Sequence, residues 1–126
     1  MKATSYFEKS KSIALTYYFP ELIIKSCLSL SAAYFNLNFT SKAISELNRV
    51  LDFKPSEFIT GKVYHNLAAS HSVSIFFLEA IKYGEKAKAI YKKLKLSTEI
   101  VEVELIIGGC YSNLGNFKKV KKLLYR

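Results

Sequence analysis

Residues 61–94, GKVYHNLAASHSVSIFFLEAIKYGEKAKAIYKKL, constrain the fold of this chain more than any other stretch. Two helical patterns stand back to back in it. Tyr64, Leu67, Ala68 and His71 recur at helical spacing, and so do Ala80, Tyr83, Gly84 and Ala87. Large residues three apart give each helix an apolar stripe, while Ala68, Ala80 and Ala87 let two backbones approach. Glycine inside a helix costs about 1 kcal/mol against alanine, so Gly84 predicts a close helix crossing.

The rest of the chain divides into similar pieces. Residues 4–19 form a first helix, with Tyr6, Phe7, Ser10, Ile13, Ala14 and Tyr17 as its stripe. Pro20 ends that helix and opens the next, because proline disfavours α geometry before it and suits a first turn. Residues 20–37 and 40–53 make the next pair, with Thr40 or Ser41 as N-cap of the second member and Ile44, Leu47, Val50 and Leu51 buried. Lys54-Pro55-Ser56-Glu57 breaks and restarts the chain, Ser56 capping. Residues 56–72 and 76–95 are the central pair, joined by a turn that lacks a Gly-Asp or Gly-Asn pair and is expected to be wider. Residues 97–114 and 117–126 are the last pair, capped by Ser97 or Thr98, with Leu114-Gly115-Asn116-Phe117 as their turn. Ile100 to Leu105 alternates like a strand, yet Ile107, Gly108 and Tyr111 continue the helical phase, and helix is the better reading.

A helix pair recurring at about 34 residues is the period of a tetratricopeptide repeat. Tyr64-x-x-Leu67-Ala68-x-x-His71 followed by Ala80-x-x-x-Gly84-x-x-Ala87 resembles that motif, with His71 and Gly84 where a tyrosine and an aromatic are usual. Cys27, Leu30, Ser31, Tyr34 and Ala43 fall at the matching positions of the preceding pair. Tyr6-Phe7-Glu8-Lys9-Ser10 resembles the second helix of a unit whose first helix is absent. The units start near Ile24, Gly61 and Val101, so the helices are longer than in an idealised array. The resemblance implies an all-α, right-handed solenoid of helical hairpins with about seven helices in one domain, residues 1–126. It comprises a lone second helix (4–19) and three repeats (20–53, 56–95 and 97–126). The lengthened pattern is similar to the sensor domains of bacterial and phage peptide-pheromone receptors of the Rap, Rgg, PlcR, NprR and arbitrium type.

Composition narrows the function classes. The chain has 126 residues, one domain on length, and half of them are hydrophobic, enough for a core. Nineteen Lys and Arg against ten Asp and Glu give +9, which invites an anionic partner. Cys27 and Cys110 lie far apart on apolar helix faces without metal-ligand spacing, and read as buried reduced thiols in a cytoplasmic protein. The polar start MKATSYFEKSKS is unlike a signal peptide, and no window offers about 20 uninterrupted apolar residues.

No enzyme is legible. His65 and His71 are six apart, not the four of a helical zinc pair, and no phosphate-cradling or nucleophile-elbow glycine motif occurs. His71 reads as a packed core ring, with His65 on another side of the helix. Glu102 and Glu104 do not share a helix face and read as solvated. No metal and no cofactor is expected.

Binding is the better prospect. The first helices of stacked pairs line a concave face that such folds use for ligands. The groove positions implied by the resemblance are Lys25, Leu28, Ser29, Ala32, Phe35 and Asn36 in the first unit. In the second they are Lys62, His65, Asn66, Ala69, Ser72 and Val73, and in the third Glu102, Leu105, Ile106, Gly109, Ser112 and Asn113. An asparagine amide donates to and accepts from a peptide backbone at once, which singles out Asn36, Asn66 and Asn113. Lys25 and Lys62 suit a peptide carboxylate. The expected ligand is a short extended peptide or protein segment, and the expected role is the sensor part of a quorum-sensing-type regulator. Two other roles are open: a scaffold that self-associates through its unpaired terminal helices, and an auxiliary nucleic-acid binder. The second would use Lys82, Lys86, Lys88, Lys92, Lys93 and Lys95 on one helix, and Lys118, Lys119, Lys121, Lys122 and Arg126 on the next. A solvated charged face is the commoner explanation of those lysines, and only non-specific phosphate attraction would follow from them.

Overall fold

The computed structural model describes residues 2–124, with side chains described as far as Asn116 and at Lys118. Among the described residues the protein is all α: six helices that pack in sequence as adjacent pairs. They are α1 (Lys2–Thr16), α2 (Pro20–Asn36), α3 (Thr40–Leu51), α4 (Glu57–Val73), α5 (Phe77–Lys93) and α6 (Ser97–Leu124). The chain forms two compact units, Met1–Val63 and Tyr64–Arg126, with α4 running through the boundary.

Four of the five connections share one backbone design. Phe19, Phe39, Phe76 and Leu96 each donate an N–H to the carbonyl five residues earlier, on Ala14, Tyr34, His71 and Tyr91, at 2.8–2.9 Å. The residue before each has positive φ: Tyr18 at 52°, Asn38 at 64°, Ile75 at 66° and Lys95 at 58°. This is the Schellman ending of a helix. The same four residues then accept, through their carbonyls, the N–H of Ile23, Ala43, Ala80 and Ile100 at 2.9–3.0 Å. One residue therefore closes a helix and opens the next. The ring contacts Tyr34–Phe39 (6.5 Å) and His71–Phe76 (6.2 Å) are the apolar clasp that accompanies such an ending. The turn at 74–76 is thus as tight as its counterparts, not wider. None of the left-handed positions is a glycine, and Ile75, β-branched, carries a strain of about 1–2 kcal/mol there.

Local signals set several helix starts. Pro20 occupies the first turn of α2 with Glu21 beside it, as its fixed φ allows. The Ser56 hydroxyl accepts the Ile59 N–H at 3.3 Å and caps α4. The cap expected from Thr40 or Ser41 is not made. Phe39 holds that position without a side-chain bond, because the Schellman ladder already fixes the backbone there. Ser97 likewise starts α6 one residue inside the backbone cap at Leu96.

Two expectations are corrected. Residues 114–117 do not turn: α6 continues unbroken through Gly115, so six helices stand where about seven were expected. Glycine and asparagine permit a left-handed exit but do not impose one. Among the described residues no glycine has positive φ, and no proline interrupts α6 there. The stripe of α1 is also rotated from the one expected. Thr4 and Ala14 are buried, whereas Tyr6 is 66 %, Ile13 51 % and Tyr17 68 % exposed. Helix α1 meets α2 along the Thr4, Phe7, Lys11 and Ala14 side, and Tyr6, Ile13 and Tyr17 are exposed away from that contact.

In the first unit Leu30, Tyr34 and Ala43 form a core against which Phe7 and Phe35 pack. In the second, Phe77, Ala80, Ile81, Ala87 and Tyr91 of α5 interlock with Val103, Ile107 and Cys110 of α6. Gly84 sits where these two helices cross. A Cβ there would stand 2.8 Å from Ile107 Cγ1, so the glycine is what permits the approach.

Candidate functional site

The expected ligand positions fall on α2, α4 and α6, and one subset is drawn together. Ser29, Ala32 and Asn36 of α2 line an open cavity of about 560 Å³ in the first unit, with Ala33 and Leu37 beside them. Lys2, Ala3, Thr4 and Phe7 of α1 form the opposite wall. The lining is mostly apolar, with Lys2, Thr4, Ser29 and Asn36 as its polar residues. Helical spacing explains the grouping on α2: residues 29, 32, 33 and 36 share one face.

The other positions divide by burial. Lys25 and Asn36 are exposed, and Phe35 is half-buried against the Leu30–Tyr34–Ala43 core, so its ring serves packing. On α4, Lys62 is exposed with its ammonium 5.6 Å from the Phe58 ring centroid, and Asn66 is exposed. Ala69 is half-buried. His65 is half-buried, and its Nδ1 lies 3.1 Å from the Tyr91 hydroxyl, so that ring edge is directed at α5. Ser112 and Asn113 are exposed on α6.

Both cysteines are buried as expected, and His71, half-buried, is a packed ring. Cys27 and Cys110 are free thiols with no exposed surface. Burial, reinforced by the neighbouring Glu46 carboxylate, pushes the Cys27 thiol up to about 11, so it stays protonated and unreactive at neutral pH. His71 lies flat on Tyr83 (centroids 5.4 Å, 10° between planes), and Tyr64 stacks on the same tyrosine at 5.9 Å. Lys86 Nζ sits 5.3 Å from the Tyr64 centroid and 5.5 Å from that of Tyr83.

The His71 ring carries a testable consequence. Its Nδ1 is buried without a partner, and burial lowers its pKa below the ordinary histidine value against a weaker opposing pull from Glu79. A group that is harder to protonate when folded adds stability above its unfolded pKa of about 6.5, and that contribution is lost as pH falls through the folded value. The urea midpoint should therefore decline as pH falls below about 6.5. His71→Phe should flatten that decline; an unchanged slope in the variant would remove His71 as its source.

Sequence reasoning missed the polar contacts of the first unit. Lys11 of α1 forms an ion pair with Glu46 of α3, and Glu46 is buried. Tyr34 donates its hydroxyl to Glu8 Oε1 at 2.8 Å, and burial together with that bond pushes the phenol up to about 12. Lys11 and Glu46 are 35 residues apart, and no local pattern couples them.

The lysine strip is partly engaged within its own unit. Lys82, Lys86, Lys92 and Lys118 are exposed, but Lys86 covers the two tyrosines and Lys88 approaches Glu104 Oε2 at 3.9 Å. Lys93 shares the last turn of α5, and the Lys119, Lys121, Lys122 and Arg126 side chains lie outside the described residues. Among the described residues no cluster of His, Cys, Asp and Glu could hold a metal ion, and no helix is long and apolar enough to cross a membrane. The chain matches no family model, no curated protein and no solved structure.

Proposed function

We propose that this chain is a tetratricopeptide-like binding module that holds a short extended peptide, as the sensor part of a bacterial or phage regulator. The observation that carries the reading is the α1–α2 cavity. Three residues assigned to a ligand groove from the sequence pattern, Ser29, Ala32 and Asn36, line a single apolar-walled space. Its volume of about 560 Å³ suits one large apolar side chain of a peptide together with its flanking backbone. Asn36 then meets a backbone amide with both donor and acceptor, and Lys2 meets a carboxylate.

The hairpin geometry supports the same reading. Helices α2 and α4 each have 17 residues and start 37 positions apart, at Pro20 and Glu57. Both end on the same Schellman ladder, with Asn38 and Ile75 in the left-handed position. Leu30 and Leu67 are buried at matching places, as are Ala43 and Ala80. A repeated unit of this kind stabilises itself through neighbour interfaces and leaves one helix face for ligands.

A synthetic hexapeptide library with one varied apolar position, titrated by fluorescence anisotropy, tests the proposal. Asn36→Ala should weaken the selected peptide by about tenfold or more, the worth of a lost amide hydrogen bond. The helical circular dichroism should not change, since that side chain is exposed. Unaltered affinity in the variant would sink the site.

A further inference from the structure

Helices α1 and α6 each leave an apolar stripe uncovered. On α1 the stripe is Tyr6, Ile13 and Tyr17, on the side away from Phe7 and α2. On α6 it is Val101 (56 % exposed) and Leu105 (71 %), continued by exposed Gly108 and Ser112. Tyr6 to Tyr17 and Val101 to Ser112 span the same number of residues, about 16 Å along each axis. Their relief is complementary. The α1 stripe is large and aromatic-ended, whereas the α6 stripe falls from leucine to glycine and serine. A Cβ built on Gly108 or Gly109 meets no neighbour within 4 Å outside its own helix backbone, so no close crossing among the described residues accounts for two adjacent glycines in a helix interior.

Charge is complementary too. Lys2 and Lys9 flank the α1 stripe. In a chain of net charge +9, residues 97–117 carry Glu99, Glu102 and Glu104 and no lysine or arginine. Glu102 and Glu104 flank the α6 stripe on its two sides, and both are exposed. We propose that α1 of one copy docks lengthwise on α6 of a second copy. Tyr6, Ile13 and Tyr17 then cover the Leu105–Gly108–Ser112 surface, with Lys9 near an α6 glutamate. Such a contact joins two different faces, so it is heterologous and each copy keeps one unused face for the next. Attraction of a basic stripe to an acidic one makes the assembly salt-sensitive. Tyr6, Ile13 and Tyr17 are not among the residues lining the Asn36 cavity, so assembly and peptide capture there are separately testable.

The test is sedimentation velocity on the full chain from about 1 to 200 µM, with Ile13→Lys and Leu105→Lys. Both positions are exposed, so circular dichroism should show both variants folded. The native protein should grow in mass with concentration, and 500 mM salt should weaken association severalfold. Each variant alone should be monomeric. Their equimolar mixture should form a dimer and stop there, because only one intact α1 face meets one intact α6 face. A native protein that stays monomeric throughout the range overturns the proposal. So does association that survives both substitutions, and so does a mixture that remains monomeric.

Discussion

Replacing Gly84 by valine is expected to lower the unfolding free energy by about 2–3 kcal/mol, the usual cost of forcing extra methyl groups into a packed crossing. The first added carbon alone would stand 2.8 Å from Ile107 Cγ1 and 3.2 Å from its Cδ1. Cγ1 is close to the backbone of α6 and cannot swing clear as a flexible chain end could. Gly84→Ala should cost less, because about 1 kcal/mol of helix propensity is recovered. The informative experiment is the double-mutant cycle with Ile107→Ala, read by urea unfolding. Ile107 is 7 % exposed, so its truncation alone leaves a hole worth about 2–4 kcal/mol. In combination the valine fills that hole, and the two losses should fall short of their sum by about 1 kcal/mol or more. Strict additivity would mean that Gly84 and Ile107 do not meet as described.

Lys11→Met is expected to be comparably severe. Glu46 is 8 % exposed, and among the described residues Lys11 is the cation ion-paired with this nearly dehydrated carboxylate. Removing one member of a buried pair leaves the other charge uncompensated and costs about 3–5 kcal/mol. The Lys11 side chain keeps 20 % of its surface, which solvent screens, and about 2–3 kcal/mol is the expected loss. Adding Glu46→Gln should return much of it, because the orphaned charge disappears. If Lys11→Met shifts the urea midpoint no more than a surface substitution does, the pair does not hold α1 to α3.

These two sites show how far sequence reading reaches. Gly84 announced itself, since glycine among helix-forming residues at a stripe position has a local cost that only a neighbour can repay. The buried thiols, the packed His71, the proline start of α2 and the Ser56 cap were legible for similar reasons. Each is written within a turn or two of chain. Part of the candidate site was legible too: helical spacing placed Ser29, Ala32 and Asn36 on one face. Their cavity needed the other wall, Lys2, Ala3, Thr4 and Phe7, and no spacing rule links those residues to α2.

The sequence alone determined that the chain is helical, where most helices begin, and which residues of α2 to α6 are apolar enough to pack. Tertiary structure decided the rest. It rotated α1 so that Thr4 and Ala14 face α2 while Tyr6, Ile13 and Tyr17 do not. It carried α6 through a glycine and an asparagine that the pattern marked as a turn. It placed Tyr18, Ile75 and Lys95 in left-handed conformations usually left to glycine, since the hydrogen-bonded ladder around each outweighs a strain of about 1–2 kcal/mol. Hydrophobic spacing reports that a face exists, but contacts such as Lys11–Glu46 form between residues 35 apart, after the helices have met.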